Sequence, residues 1–223
     1  LGGMDVSAEA LAFMTYREGT LGGFRARVFR ISFSGELSYE IAVPASEGLA
    51  FWERLMEAGK EFGVMPYGTE ALHIMRAEKG FIIVGQDTDG SMTPLDLDMA
   101  WAVSFKKPFS FIGKRSLTRS DTARTDRKQL VGLFTEDPET VLKEGAQIIE
   151  TEKIEAPMPM LGHVTSSYFS PELNRSIALA VVRDGIKRRS EEGVKSGRDV
   201  LYAWAGGKSH KVKVVSPVFV DPE

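Results

Sequence analysis

The stretch that decides the fold is residues 30–44, which read Arg-Ile-Ser-Phe-Ser-Gly-Glu-Leu-Ser-Tyr-Glu-Ile-Ala-Val-Pro. Apolar and polar residues alternate on both sides of Gly35, and a period of two indicates pleated strands with two unlike faces. Gly35 supplies the turn between the strands. We therefore predict two short strands joined by a tight turn.

Two carboxylates stand out in this stretch, Glu36 beside the turn and Glu40 in the second strand. A carboxylate in mid-strand either faces water or is held for a partner that donates hydrogen bonds. A carboxylate can accept two parallel hydrogen bonds, which matches a ring N–H and the amino group beside it. Glu36 is also compatible with a simple role as a turn residue.

Composition excludes several classes of protein. The 223 residues carry 28 basic and 31 acidic side chains, a net charge of -3, so nothing favours nucleic acid or an anionic membrane. The absence of cysteine excludes disulfides and thiolate metal sites, and we expect no other metal site. No signal-peptide pattern is visible, and we expect a cytoplasmic protein. Because the chain begins at Leu1, we also expect it to be a piece of a longer polypeptide.

Helical patterns flank and follow the strand pair. Residues 7–13 are compatible with a short helix capped by Ser7. Residues 46–62 predict a longer helix whose inward stripe is Leu49, Trp52, Leu55, Met56 and Phe62. Residues 69–79 predict a second helix, which ends at Gly80.

Composition changes near residue 118, where a polar, charged segment without periodicity begins. Beyond it, six short apolar runs are separated by turn-forming residues, a pattern typical of a small antiparallel barrel or sandwich. The runs are 129–134, 146–150, 162–167, 176–182, 199–203 and 209–215. We predict an α+β domain over 1–118, a linker over 119–128 and a β-barrel domain over 129–223.

Arg76, on the second predicted helix, is a candidate for binding a ligand. It lies within Met-Arg-Ala-Glu-Lys-Gly at residues 75–80. An arginine held in a site could pair with a ligand carboxylate or with Glu78 nearby. The alternative is a side chain on a solvated helix face.

Three stretches, in this order, resemble the folate-binding aminomethyltransferase family, whose type member is the glycine-cleavage T-protein. They are residues 30–44, residues 72–80 followed by 85–89, and residues 162–171 followed by 177–180. Within the family, the chain looks more like the C-terminal part of the alpha subunits of heterotetrameric sarcosine oxidases than like the T-protein itself. The resemblance covers essentially the whole chain.

The resemblance implies a fold and a set of site residues. It implies a partial folate-binding α+β domain followed by a small antiparallel β-barrel. By position, Glu40 is the glutamate that binds the pterin ring of tetrahydrofolate, and Glu36 and Arg76 are the other residues assigned to folate. The family commonly has an arginine near the start of the second helix, whereas residues 67–72 here read Tyr-Gly-Thr-Glu-Ala-Leu. The catalytic aspartate of the family lies in a part of the domain that this chain does not match, so no catalytic residue is assigned.

The resemblance also implies an activity, that of an oxidoreductase fragment whose folate site accepts the one-carbon unit from sarcosine. FAD, FMN and NAD are then expected elsewhere in the complete enzyme, and the other enzyme subunits are expected as partners. Two alternatives stay open. One is an aminomethyltransferase domain, and the other is a non-catalytic interaction module that has kept the fold.

Overall fold

The computed structural model describes residues 1–221, which form two compact units. The first unit comprises Leu1–Leu72 and the second His73–Asp221. The predicted α+β class with an antiparallel barrel is confirmed. The domain boundaries at 118 and 128 stay a prediction.

The first unit contains a three-stranded antiparallel sheet in the order β1-β2-β3. The strands are β1 (Tyr16–Leu21), β2 (Phe24–Phe29) and β3 (Glu40–Ala42). Gly22 and Gly23 connect β1 to β2 with φ of 60° and 94°. A two-residue hairpin that follows strand twist needs positive φ at both positions, which glycine adopts without steric cost.

The tight turn predicted inside residues 30–44 is wrong, because β2 ends at Phe29 and ten residues separate it from β3. Arg30 still pairs with the chain that leads into β1, since its N–H donates to the carbonyl of Thr15 at 3.0 Å. The chain then leaves the sheet, and the Ser32 hydroxyl accepts from the N–H groups of Ser34 and Gly35. These side-chain bonds give the backbone an alternative to a strand ladder.

The main helix of the first unit is α1 (Gly48–Gly59), flanked by 3-10 turns at Ala45–Glu47 and Lys60–Phe62. The helix confirms the predicted element, and Leu55 of the predicted inward stripe packs against the core. Phe51 is the buried residue of the helix and packs edge to face on Phe24, with ring centroids 5.6 Å apart. Leu49, Trp52 and Phe62, which we expected to face inward, are exposed.

The segment before β1 also differs from expectation. Residues 7–10 form a single turn, closed by the Leu11 N–H donating to the Ser7 carbonyl at 2.9 Å, and no helix follows. The second predicted helix is confirmed as α2 (Thr69–Glu78). Gly80 follows it with φ of 77°, and a Cβ there would lie 2.4 Å from the carbonyl oxygen of Pro217.

The second unit contains a closed six-stranded barrel in the order β4-β7-β6-β5-β8-β9, with every pairing antiparallel. Its strands are β4 (Lys128–Thr135), β5 (Gln147–Ile149), β6 (Gly162–Ser170), β7 (Arg175–Arg183), β8 (Val200–Ala205) and β9 (Lys208–Val215). The predicted strands agree with these to within a few residues. Inward-facing aliphatic residues such as Val131, Leu133 and Leu201 fill the interior.

The remaining elements of this unit are short. They are 3-10 turns at Ala100–Ala102 and Ser116–Thr118 and the helices α3 (Gly185–Arg188) and α4 (Glu191–Lys195). A separate apolar cluster packs Ala77 of α2 and Leu97 against the outward-facing Leu130, Ile177 and Leu179 of the barrel. Among residues 1–221, none of the helices has the length and apolar character needed to cross a bilayer.

Candidate functional site

The open face of the first unit's sheet carries the carboxylate Glu40. Residues directly opposite in an antiparallel sheet share a face, and Glu40 lies opposite Phe29, which lies opposite Tyr16. The Tyr16 and Phe29 rings are tilted against each other with centroids 5.5 Å apart. The other face is the core, formed by residues such as Val28 and Leu21. The sheet therefore places a carboxylate beside an aromatic pair on a face that this unit leaves open.

Charge on this face is distributed unevenly. Arg27 and Glu18 are cross-strand partners and form an ion pair, and the Arg27 guanidinium lies 5.7 Å from the centroid of the Tyr16 ring. Glu40 is exposed, and no ion pair or side-chain hydrogen bond is found for it among residues 1–221. Its carboxylate is thus available to a donor from outside the described chain.

A cavity of about 520 Å³ lies over the same face. Glu18, Thr20, Arg25, Arg27 and Ala42 contribute to its lining. Glu40 is not a lining residue but precedes Ala42 by two positions on β3, so both side chains point to this side of the sheet. This face therefore has a cavity, and the Glu40 carboxylate lies two residues along β3 from its lining residue Ala42.

Glu36 lies in the loop between β2 and β3 and is exposed. It follows Gly35, whose φ is 87°, in the turn held by the Ser32 hydroxyl. Glu36 and Glu40 are close in the sequence, but only Glu40 lies on a strand of the sheet.

Arg76 is fully buried, at 0% exposure, in contrast to the solvated helix face considered above. Its Nη1 donates to Asp87 Oδ2 at 2.6 Å and to the Phe81 carbonyl at 3.1 Å. Its Nη2 donates to Ser166 Oγ at 2.7 Å and approaches the hydroxyl of Tyr168 at 3.4 Å. The guanidinium therefore joins α2 to strand β6 of the barrel.

Asp87 completes this network from the other side. Its Oδ1 accepts from the hydroxyls of Thr165 at 2.5 Å and Ser166 at 2.7 Å, and its Oδ2 accepts from the N–H of Ile83 at 2.8 Å. The register of β6 against β7 shifts between Val164 and Ser166, so Thr165 is an extra residue in the ladder. A bulge of this kind re-aims side chains, and here two successive hydroxyls reach one carboxylate.

Sequence reasoning missed this network because its members are distant in the chain. From the sequence, Arg76 is expected to pair with a ligand carboxylate or with Glu78. Glu78 instead accepts a hydrogen bond from Ser170. The sequence contained one signal for this network, the run of polar residues from Thr165 to Ser167 in the middle of a predicted strand. Polar side chains buried in a strand are expected to have hydrogen-bond partners inside the protein.

The assignment of Arg76 to folate stays a prediction, although the contacts found give this side chain a structural role. Both Nη atoms have acceptors within the second unit, and Nε is buried without an acceptor among the described residues. No group of three or more metal-ligating side chains was found in residues 1–221.

Comparison with known proteins identifies the family to which the two units belong. Residues 1–107 match the family model of the GCVT N-terminal domain, and residues 128–221 match that of the glycine cleavage T-protein C-terminal barrel domain. The chain belongs to the glycine cleavage T-protein family.

Two kinds of relative are found within that family. The sarcosine oxidase subunit alpha of Corynebacterium sp. (strain P-1) is 48% identical over 224 residues, which cover 99% of this chain and 22% of that protein. The aminomethyltransferase of Halothermothrix orenii is 34% identical over 179 residues, which cover 80% of this chain and 48% of that protein. The chain thus spans about a fifth of the first relative and about half of the second.

A solved structure supports the fold independently. The crystal structure of the glycine cleavage system aminomethyltransferase T from Bartonella henselae superposes with a TM-score of 0.76 at 24% sequence identity. The match covers 96% of this chain and 54% of that one. The two units therefore have the architecture of the T-protein fold.

Proposed function

We propose that this chain forms part of a tetrahydrofolate site in a protein like the sarcosine oxidase alpha subunits. There, folate would accept the one-carbon unit released by oxidative demethylation of sarcosine. The observation that carries the proposal is the free carboxylate of Glu40 beside the Tyr16 and Phe29 rings on the open sheet face. The similarity to sarcosine oxidase alpha subunits along nearly the whole chain supports it.

The chemistry of Glu40 fits the pterin edge. A pterin presents a ring N–H and an adjacent amino group in parallel, and a carboxylate accepts both at once. No internal partner among the described residues competes for this carboxylate, so ligand binding breaks no existing bond. Aromatic side chains next to it offer a flat surface of the kind that planar ligands use.

The other two assigned residues have secondary parts in this proposal. Glu36 is exposed in the loop before β3 and would add negative charge near the ligand. Arg76 would contribute indirectly, by stabilising the fold of the second unit, since both of its Nη atoms already donate hydrogen bonds within that unit.

The rest of the activity belongs to the complete protein. Flavin (FAD and FMN) bound elsewhere would supply the oxidation of sarcosine, and NAD and the catalytic residue would also lie outside this chain. We place the complete enzyme, with its other subunits, in the cytoplasm. The isolated 223-residue chain is expected to produce no hydrogen peroxide from sarcosine.

An aminomethyltransferase activity is the second candidate, favoured by the match of both domains to glycine cleavage T-protein models. It shares the folate site but not the oxidation step. Peroxide formation from sarcosine by the complete protein separates the two, because only the oxidase produces it. A non-catalytic module, consistent with the absence of arginine in residues 67–72, would show neither activity nor folate binding.

The experiment that tests the folate site is product analysis in the complete protein. With Glu40→Gln, sarcosine oxidation should continue while the one-carbon product changes from methylenetetrahydrofolate to free formaldehyde. Glu53→Gln, an exposed carboxylate on α1, is the matched control and should leave the products unchanged. Unchanged methylenetetrahydrofolate formation by Glu40→Gln would overturn the assignment.

A further inference from the structure

The open face of the first unit's sheet carries a second charged side chain without a partner, Arg25 on β2. Arg25 is exposed, lies opposite Thr20 of β1, and shares this face with Arg27 two residues further along β2. Among residues 1–221, the ion pair and the side-chain hydrogen bond of this face join Arg27 to Glu18 and do not include Arg25. The Arg25 guanidinium is therefore available to an anion from outside the described chain.

The two unpaired charges of this face are separated along the strands. Glu40 lies opposite Phe29, and Phe29 follows Arg25 by four residues on β2. Because a strand rises about 3.3 Å per residue, about 13 Å of sheet separates the two positions. Between them, Arg27 and Glu18 neutralise each other. The face is therefore negative at one end and positive at the other.

The cavity of about 520 Å³ lies toward the Arg25 end of this face. Arg25 lines it, together with its cross-strand neighbour Thr20, and Ala42 is the lining residue nearest to Glu40 along β3. A ligand bound at Glu40 and directed along the strands would enter this cavity at Ala42 and reach Arg25 at its other end.

Folate has the complementary arrangement of groups. Its pterin, which donates hydrogen bonds, is at one end, its glutamate with two carboxylates is at the other, and an aminobenzoyl group joins them. The guanidinium of arginine presents paired N–H donors that match a carboxylate. A folate bound in the reverse direction would place its carboxylates beside Glu40, where like charges repel. The charges of the face therefore favour one direction of binding.

We propose that Arg25 binds the glutamate carboxylates of tetrahydrofolate while Glu40 binds the pterin. This inference rests on the proposed folate site and adds a specificity-determining residue to it. Arg25 selects ligands that carry an acidic tail, and together with Glu40 it sets the direction in which the ligand lies on the sheet.

The test is calorimetry of the complete protein with tetrahydrofolate and with its diamide, in which both glutamate carboxylates are primary amides. The two ligands have the same pterin and nearly the same size, so they differ in the charge of the tail. We expect the parent protein to bind tetrahydrofolate about fivefold more tightly than the diamide, through one carboxylate–guanidinium pair at an accessible position.

Matched variants assign this preference to Arg25. Arg25→Gln removes the charge and should bind the two ligands equally, whereas Arg25→Glu should prefer the diamide because like charges repel. Arg25 is exposed, so both variants should fold. Arg54→Gln is the control, since Arg54 is an exposed cation on α1, which packs through Phe51 on the opposite, core face of the sheet. It should keep the preference of the parent protein.

Failure of this inference and failure of the folate site give different results. Equal affinity of the parent protein for both ligands, or an undiminished preference for tetrahydrofolate in Arg25→Gln, would overturn the role of Arg25 and leave the folate site in place. A parent protein that binds neither ligand would overturn the folate site and this inference with it.

Discussion

Arg76 and Asp87 form an ion pair with Nη1 and Oδ2 2.6 Å apart, and neither side chain is exposed to solvent. The pair is surrounded by the hydroxyls of Thr165 and Ser166, so every oxygen of the carboxylate is satisfied. A buried charge with a full set of partners stabilises a single arrangement, whereas a buried charge that has lost one is strongly unfavourable.

Asp87→Asn should therefore destabilise the chain by about 3–5 kcal/mol, because it leaves the Arg76 guanidinium buried without a counter-ion. The free energy of unfolding in urea measures this loss. Asp89→Asn, an exposed carboxylate two residues away, is the control and should cost less than about 1 kcal/mol. A loss for Asp87→Asn no greater than the control would contradict the network.

Replacing both members should be less harmful than replacing one. In Arg76→Met combined with Asp87→Asn, no charge is left buried, so the double variant should be more stable than Asp87→Asn alone. The same denaturation measurement decides it. A double variant with the summed loss of two single variants would show that the two side chains act independently.

Two threonines in the barrel strands should respond in opposite ways to replacement by valine. Thr165 donates from its hydroxyl to Asp87, and its loss should cost about 1–3 kcal/mol. Thr135 has a buried hydroxyl with no partner among residues 1–221, so Thr135→Val should keep or raise the melting temperature. A lower melting temperature for Thr135→Val than for Thr165→Val would contradict the contacts described.

The environment of His163 predicts that the stability of the fold depends on pH. Burial, together with the positive charge of Lys128, lowers the pKa of His163 from its ordinary 6.5, and Asp89 opposes this only in part. The unfolded chain therefore binds the proton more tightly, and stability present above the unfolded pKa is lost as the pH falls through the folded pKa. Relative to the parent chain, His163→Gln should show a smaller fall in melting temperature between about pH 7.5 and about pH 5. If the melting temperatures of the parent chain and His163→Gln fell equally across that range, protonation of His163 would not contribute to the pH dependence of stability.

Adjacent aromatic residues on α1 should differ in their effect on stability. Phe51 is 7% exposed and packs on Phe24, so Phe51→Ala should cost about 3–5 kcal/mol. Trp52 is 49% exposed, so Trp52→Ala should cost clearly less in the same chain. Urea denaturation of the two variants measures the difference, and the reverse order would indicate that the helix faces the other way.

The sequence predicted the barrel well because alternation and turn residues are local signals that each strand carries by itself. The face of α1 was not predictable in the same way, since Leu49, Phe51 and Trp52 supply apolar residues on more than one side. The sequence did not predict strand β1, because Tyr16–Leu21 is mostly exposed and its polar residues show no alternation of apolar and polar positions. The environment of Arg76 was not predictable because Ser166 lies 90 residues further along the chain.

The Glu40 site is tested by the affinity of the complete protein for tetrahydrofolate, measured by calorimetry for the parent, Glu40→Gln and Glu53→Gln. We predict that Glu40→Gln loses about 1–3 kcal/mol of binding free energy while Glu53→Gln binds as the parent does. Equal affinities in all three proteins would contradict the assignment of Glu40 to folate.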